Sequence, residues 1–319
     1  MFRRTFSAGL LAAMAGRATA QTASPSSAPA PAAAPITPAT ATAPTKPSPP
    51  AAVAALNAWS RESYIAAMQA SGRPHEIAAP AFEAIQKRKV AAIERIDKYL
   101  AQRFGKADPA VLKAFAELPR EYFHYHYADK RPTAGEAYET EAKPFAIGYG
   151  SALSDYLGQA YMTQAALPKA NDVVLEIGTG SGFQSSLLSR IVKSVYSIEI
   201  IEPLGKAVAN IYRPIGIGNV SSRVGDGFFG WPEVDGGFDI IIVTCAAQYV
   251  PPALFKQLKP GGRLLIPIGQ PFKRGQFLFI YTKDAEGKVT SRKDVGVFFI
   301  PMTGTMMKEP QGAASGAGK

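Results

Sequence analysis

The chain is poor in the residues that build disulfides and metal clusters. It holds one cysteine, Cys245, with three histidines and two tryptophans in 319 residues. A single cysteine excludes an intrachain disulfide and any cysteine-based zinc cluster. No apolar run approaches the ~18 residues of a membrane helix, so no integral span is expected. Charged residues make up only 19% against 47% hydrophobic, which excludes wholesale disorder and leaves material for a sizeable core. The net charge of +10 does not mark a nucleic-acid reader. The first 54 residues carry Arg3, Arg4, Arg17 and Lys46 and no acid, while bases and acids nearly balance beyond them. A nucleic-acid surface would instead cluster Lys and Arg on the body. The one local cluster, Lys87-Arg88-Lys89, is expected on a solvated helix face.

Arg3-Arg4 precede an apolar stretch from Phe6 to Ala15, and Ala18-Thr19-Ala20 supplies small residues before a cut ahead of Gln21. This layout predicts a secretory signal over 1–20 and an exported, periplasmic protein. Arg-Arg-Thr-Phe at 3–6 matches part of a twin-arginine signal. An Arg-rich, acid-free organelle-targeting leader is the alternative. From Gln21 to Pro50, 27 of 30 residues are Ala, Pro, Ser or Thr. Proline denies that stretch helix and ladder, so 21–54 is expected to be an extended linker. A body over 55–305, with its core at 168–270, and a flexible tail over 306–319 complete the expected organisation.

Helical spacing of Phe82, Ile85, Val90, Ile93, Ile96 and Leu100, followed by Gly105, predicts a helix over 81–104. Asp108 and Pro109 open a second helix over 109–118 as cap and first residue. After Asn171 short apolar runs alternate with helical patterns. Strands are expected at 173–177, 195–200, 220–224, 238–243 and 263–267, with helices at 182–192, 203–211 and 251–258. Such alternation predicts an α/β fold, a doubly wound and mostly parallel sheet covered on both faces, here with a helical N-terminal extension. A terminal β-hairpin is expected from 278–281 and 295–301, about an Asp-Ala-Glu-Gly turn.

The most informative stretch is Leu175-Glu-Ile-Gly-Thr-Gly-Ser-Gly-Phe183. Gly178, Gly180 and Gly182 follow a strand and open a helix, where bare backbone lets a ligand approach. The spacing is Gly-x-Gly-x-Gly rather than the Gly-x-Gly-x-x-Gly of dinucleotide binders. Glu199 ends the next strand, where a carboxylate can accept both ribose hydroxyls. Asp226, in Gly225-Asp-Gly227, ends the third and can take an adenine amino group. Ligands in such sheets bind beyond the strand C-termini.

With these residues the chain resembles the class I S-adenosylmethionine-dependent methyltransferases, and more narrowly the protein-L-isoaspartate O-methyltransferases. The resemblance rests on Leu118-Pro-Arg-Glu-Tyr-Phe123, Ile147-Gly-Tyr-Gly150, Val174 to Gln184, Asn219 to Gly227, Phe238 to Thr244, Pro260-Gly-Gly262, Ile266 to Gly269 and Phe299-Ile-Pro301. It implies methyl transfer from S-adenosyl-L-methionine to the free carboxylate of L-isoaspartyl residues in damaged proteins or peptides. It implies cofactor contacts from Glu176, Gly178, Thr179, Gly180, Gly182, Glu199, Asp226 and Gly227, and substrate contacts from Ile147, Gly148, Val297 and Pro301. Ser154 matches the serine that lies near the accepting carboxylate. A carboxylate is ionised at neutral pH, so the reaction needs alignment rather than a general base.

The acceptor loop departs from the family pattern. Ser151, Ala152 and Tyr156 stand where glutamine, threonine and proline are usual, and Asp155 adds negative charge beside Ser154. Transfer to a different acceptor, or an exported, non-catalytic peptide- or nucleoside-binding relative, therefore stay open. So does a cytoplasmic location, because the methyl donor is made in the cytosol. Ser154 as a helix N-cap is the plainer alternative to its catalytic role. His124-Tyr125-His126 places its histidines on opposite faces of a strand, and no metal is expected. Cys245 reads as a small buried hydrophobe near the pocket, and Trp231 as packing over either the cofactor edge or the core. A monomer is expected.

Overall fold

The computed structural model describes residues 59–271 and 273–308. The expected signal and linker lie outside the described residues. In chain order the elements are α1 Arg61–Ala70, α2 Ala79–Phe104, α3 Pro109–Glu117, α4 Arg120–Phe123, β1 Tyr125–His126, β2 Arg131–Pro132, β3 Phe145–Gly148, β4 Ser151–Leu153 and α5 Tyr156–Ala165. Then follow β5 Val173–Ile177, α6 Phe183–Ser189, β6 Ser194–Glu199, α7 Glu202–Val208, β7 Val220–Val224, β8 Phe238–Val243, α8 Pro252–Gln257, β9 Leu258–Ile268, β10 Gln276–Lys283, β11 Val289–Val297 and α9 Thr305–Lys308.

The main sheet runs β11-β10-β9-β8-β5-β6-β7. Pairing is parallel from β9 through β7 and antiparallel among β9, β10 and β11. The strand order reverses between β5 and β8, the switch point where such sheets open a crevice. Both strands are almost wholly buried, because helices cover each face and apolar side chains must fill both.

The N-terminal extension forms as its pattern predicts. Asp108 accepts a hydrogen bond from the Ala110 N–H at the start of α3, and α2 ends at Gly105 with φ 83°. The buried stripe of α2, however, includes Lys89 while Val90 is only half-buried. Lys89 thus leaves the solvated face expected for the basic cluster; burial pushes its ammonium below the usual lysine range, opposed by Glu121.

Several elements escaped the sequence pattern. α5 is buried nearly all round, so it carries no polar stripe for a periodicity to detect. The hairpin of β3 and β4 is too short to alternate. β11 begins at Val289, directly after the polar turn, and ends at Val297, so the expected strand 295–301 is displaced. Residues 298–301 leave the ladder because other partners hold them. Gln276 brackets the Phe299 main chain, accepting from its N–H at 2.6 Å and donating to its carbonyl at 3.1 Å, and Pro301 bridges to Ala246. The ordered body also passes the expected boundary at 305. Met306 in α9 is buried among Ile177, Ile198, Phe228 and Met302. Among the described residues no helix is long and apolar enough to cross a membrane.

Met306→Ala should lower the free energy of unfolding by ~2–5 kcal/mol, the usual cost of emptying a buried methionine site. Its neighbour Met307, 49% exposed, should change it by less than ~0.5 kcal/mol when cut to alanine. Urea denaturation of the two variants checks this; equal losses would place α9 outside the core.

Candidate active site

A cleft of about 400 Å³ opens at the C-terminal ends of β5, β6, β7 and β8. Gly178, Thr179 and Gly180 form its floor, Glu199, Asp226 and Gly227 one side, and Tyr149 to Ser154 with Phe299 to Thr303 its mouth. Of the residues expected at the site, Ser154, Gly178, Thr179, Gly180, Glu199, Asp226, Gly227 and Pro301 therefore meet in one place.

The floor requires glycine for two different reasons. At Gly178, φ is +97° and a Cβ would fall 2.5 Å from the Thr244 hydroxyl oxygen, which itself donates to the Gly178 carbonyl at 2.6 Å. At Gly180, φ is +54° and a Cβ would meet nothing closer than 3.8 Å. That open space faces the acceptor loop. The Gly180 N–H donates to Glu199 Oε2 at 2.8 Å, and the Ile201 N–H donates to Oε1 at 3.0 Å. Each oxygen keeps a lone pair for a hydroxyl. Burial holds the Glu199 carboxyl above its usual range, and the main-chain bonds offset part of that rise. Asp226 is fixed in the same manner, accepting from the Phe228 N–H at 3.0 Å and the Thr305 N–H at 2.8 Å.

Among the described residues no lysine or arginine lines the cleft, and the charged side chains there are Glu199 and Asp226. A pyrophosphate would meet two carboxylates and no cation there. A nucleoside with a positive centre would find acceptors for hydroxyls and an amine, and an attractive field. The donor set and the bare floor thus fit S-adenosyl-L-methionine and disfavour a dinucleotide.

Five expected contact residues stand behind the cleft rather than in it. Glu176 is fully buried, and its Oε2 accepts from Ser197, which is also hydrogen-bonded to Thr179 at 2.7 Å. Glu176 supports the loop from below. Gly182 serves packing: a Cβ would lie 2.6 Å from Ile211 Cδ1. Gly148 lets its turn close on Ala128, 2.7 Å from where a Cβ would sit. Ile147 is buried, its carbonyl accepting from the Tyr127 N–H, and Val297 pairs with Gln276.

The structure also decides the acceptor loop. Asp155, not Ser154, caps α5, accepting from the Gly158 N–H at 2.7 Å. Its carboxylate is thereby spent on its own helix. Ser154 lines the cleft, and its hydroxyl has no hydrogen-bond partner among the described residues. Tyr156 turns away and donates to the Glu139 carbonyl at 3.0 Å.

Sequence reasoning gave no role to Gln159, which no motif marks, or to Thr244, the last residue of the 238–244 run, and both line the cleft. Tyr149 was visible only as the variable residue between two glycines; it has φ 54° and is 45% exposed, the backbone strain that gathers at functional sites. His124 is buried and His126 faces Asp129. Trp231 packs between Tyr196 and Arg223, on the core side. Cys245 lines the cleft, and burial pushes its thiol up, away from nucleophilic character. Among the described residues no group of three or more His, Cys, Asp or Glu side chains could hold a metal ion.

Burial raises the Glu176 carboxyl from 4.5 to about 8. Between those values the folded chain keeps a proton that the unfolded chain releases, so stability falls as pH rises through the window. Relative to Glu176→Gln, the native chain should lose roughly 2–4 kcal/mol from pH 5 to pH 8. Urea titrations at both pH values check it; parallel curves would show that Glu176 is already ionised in the folded state.

The model of the family "Protein-L-isoaspartate(D-aspartate) O-methyltransferase" matches residues 91–307. Protein-L-isoaspartate O-methyltransferase 2 of Syntrophobacter fumaroxidans is 41% identical over 225 residues, 70% of this chain and 87% of that protein. Protein-L-isoaspartate O-methyltransferase 1 of Nitrosospira multiformis is 50% identical over 161 residues, 50% of this chain and 67% of that one. A solved protein-L-isoaspartate O-methyltransferase aligns with TM-score 0.58 and 28% identity over 67% of each chain. A candidate enzyme of the same name from Plasmodium falciparum, solved in complex with S-adenosyl-L-homocysteine, shares the fold with TM-score 0.53 and 20% identity over 66% of this chain and 98% of its own. With a match over this length, and with the glycine floor and acid rim in place, the chain belongs to the protein-L-isoaspartate(D-aspartate) O-methyltransferase family.

Proposed function

We propose that this protein methylates the free carboxylate of L-isoaspartyl residues in damaged proteins or peptides, using S-adenosyl-L-methionine. One observation carries the reading: a glycine floor flanked by two carboxylates faces, across a single cleft, a serine hydroxyl that has no hydrogen-bond partner among the described residues. When bound, the donor supplies a methyl group already activated by positive sulfur.

The protein's part is alignment and the exclusion of water. Glu199 and Asp226 accept from the nucleoside, each pre-set by two main-chain N–H groups, so little ordering remains to be done on binding. Gly178 and Gly180 let the ligand lie against the backbone. Ser154 donates to one oxygen of the incoming carboxylate and leaves the other to attack. No base is required, since that carboxylate is ionised above pH ~4. Apolar walls from Met162, Ile200 and Phe299 keep the reacting atoms dry.

We read residues 1–20 as an export signal and 21–54 as a tether for a monomeric enzyme. The Arg3-Arg4 start and the small residues at 18–20 support this. Residues 1–58 fused to a reporter should carry it out of the cytosol; retention inside would mean that the enzyme works where its donor is made.

Glu199→Ala and Asp226→Ala should each weaken binding of S-adenosyl-L-homocysteine by ~1–3 kcal/mol, the cost of a lost buried polar partner. Ser154→Ala should leave that affinity unchanged and lower methyl transfer to an isoaspartyl peptide at least ~10-fold, or ~1.4 kcal/mol. Calorimetry with a labelled-methyl assay reads both effects; equal transfer by the serine variant would remove Ser154 from the reaction.

A further inference from the structure

Arg120, in the Pro119-Arg-Glu121 run, has no part in the reading above, yet its surroundings are unusual. It is 2% exposed and forms no ion pair among the described residues. Its guanidinium instead donates to three uncharged oxygens: Ser154 carbonyl at 2.6 Å, Gln159 Oε1 at 2.5 Å and Ala137 carbonyl at 3.1 Å. The guanidinium carbon lies over the Phe183 ring, 4.8 Å from its centroid. Phe183 is the first residue of α6, directly after the glycine floor.

One buried side chain therefore touches the acceptor serine's own main chain, the helix behind it and the helix that follows the donor loop. The planar fork can satisfy separate acceptors and stack on a ring at once, which a lysine cannot. Burying a cation against neutral carbonyls is expensive, and an apolar residue would fill the space more cheaply. The rest of the run braces it. The Arg120 N–H donates to the Tyr138 hydroxyl at 2.9 Å, which donates to Glu121 Oε2 at 2.8 Å, and Gln86 donates to Glu121 Oε1 at 2.7 Å.

We infer that Arg120 is a positioning residue for methyl transfer: it fixes the Ser154 main chain relative to the glycine floor and so sets where the accepting carboxylate sits. The inference rests on the proposed role of Ser154, and it separates from that role by experiment. Misplacing a reacting group by about 1 Å can cost ~100-fold, whereas the nucleoside contacts lie on the opposite wall and should not change.

The test is a double-mutant cycle on the full-length protein with an isoaspartyl peptide. Arg120→Lys should lower kcat/KM at least ~10-fold with serine at 154, and less than ~3-fold in the Ser154→Ala background, because residues acting as a unit are not additive. The Kd of S-adenosyl-L-homocysteine should stay within ~2-fold in all four proteins. Tyr138→Phe, which loosens the brace and keeps the guanidinium, should show a smaller loss with the same non-additivity, and serves if Arg120→Lys does not fold. Additive losses, an unchanged kcat/KM, or a loss that follows product affinity would each overturn the inference. A native enzyme inactive on the peptide would instead overturn the proposed reaction itself.

Discussion

The hydrogen bond from the Gly180 N–H to Glu199 is the contact on which the cleft depends. It joins the loop after β5 to the end of β6, and it places a carboxylate where a ligand needs an acceptor. Without it, the buried Glu199 carboxylate would keep only the Ile201 N–H as a main-chain donor, and one of its oxygens would lose its partner at the cost of a desolvated polar atom. Glycine at 180 lets the loop take its left-handed turn without the strain a side chain would add, and it leaves bare backbone on the cleft floor. One choice thus serves folding and recognition together.

Beneath this contact the protein spends polarity sparingly. Glu176, Ser197 and Thr179 form a short chain under the floor, and the raised carboxyl of Glu176 shows what that burial costs. Among the described residues the charged side chains of the cleft wall are both carboxylates. A positively charged donor gains from that field, while its negatively charged acceptor must be brought close by geometry and by the donor's own charge.

The acceptor side is built on a different principle. Tyr149, Ser151 and Ser154 sit on a short hairpin and the start of α5, elements with few ladder bonds of their own. Their placement comes from tertiary contacts, among them the Arg120 guanidinium and the Asp155 cap. The altered residues of this loop need not alter its chemistry. Asp155 is occupied at the helix start, and the buried Tyr156 donates to the Glu139 carbonyl.

The sequence alone determined the sheet and the donor half of the site. Alternating apolar runs, three closely spaced glycines and acids at the following strand ends are local signals, because strand ends and tight turns restrict residue type within a few positions. Only the tertiary structure decided which of those residues line the cleft. It moved Glu176, Gly182, Ile147, Gly148 and Val297 behind the cleft, put Lys89 inside, drew Met306 into the core, and brought Gln159 and Thr244 to the wall. The reason is physical: a side chain's direction in a short or fully buried element is set by contacts dozens of residues away, and no periodicity records them. Arg120 shows it most plainly, since its three acceptors lie 17, 34 and 39 positions along the chain.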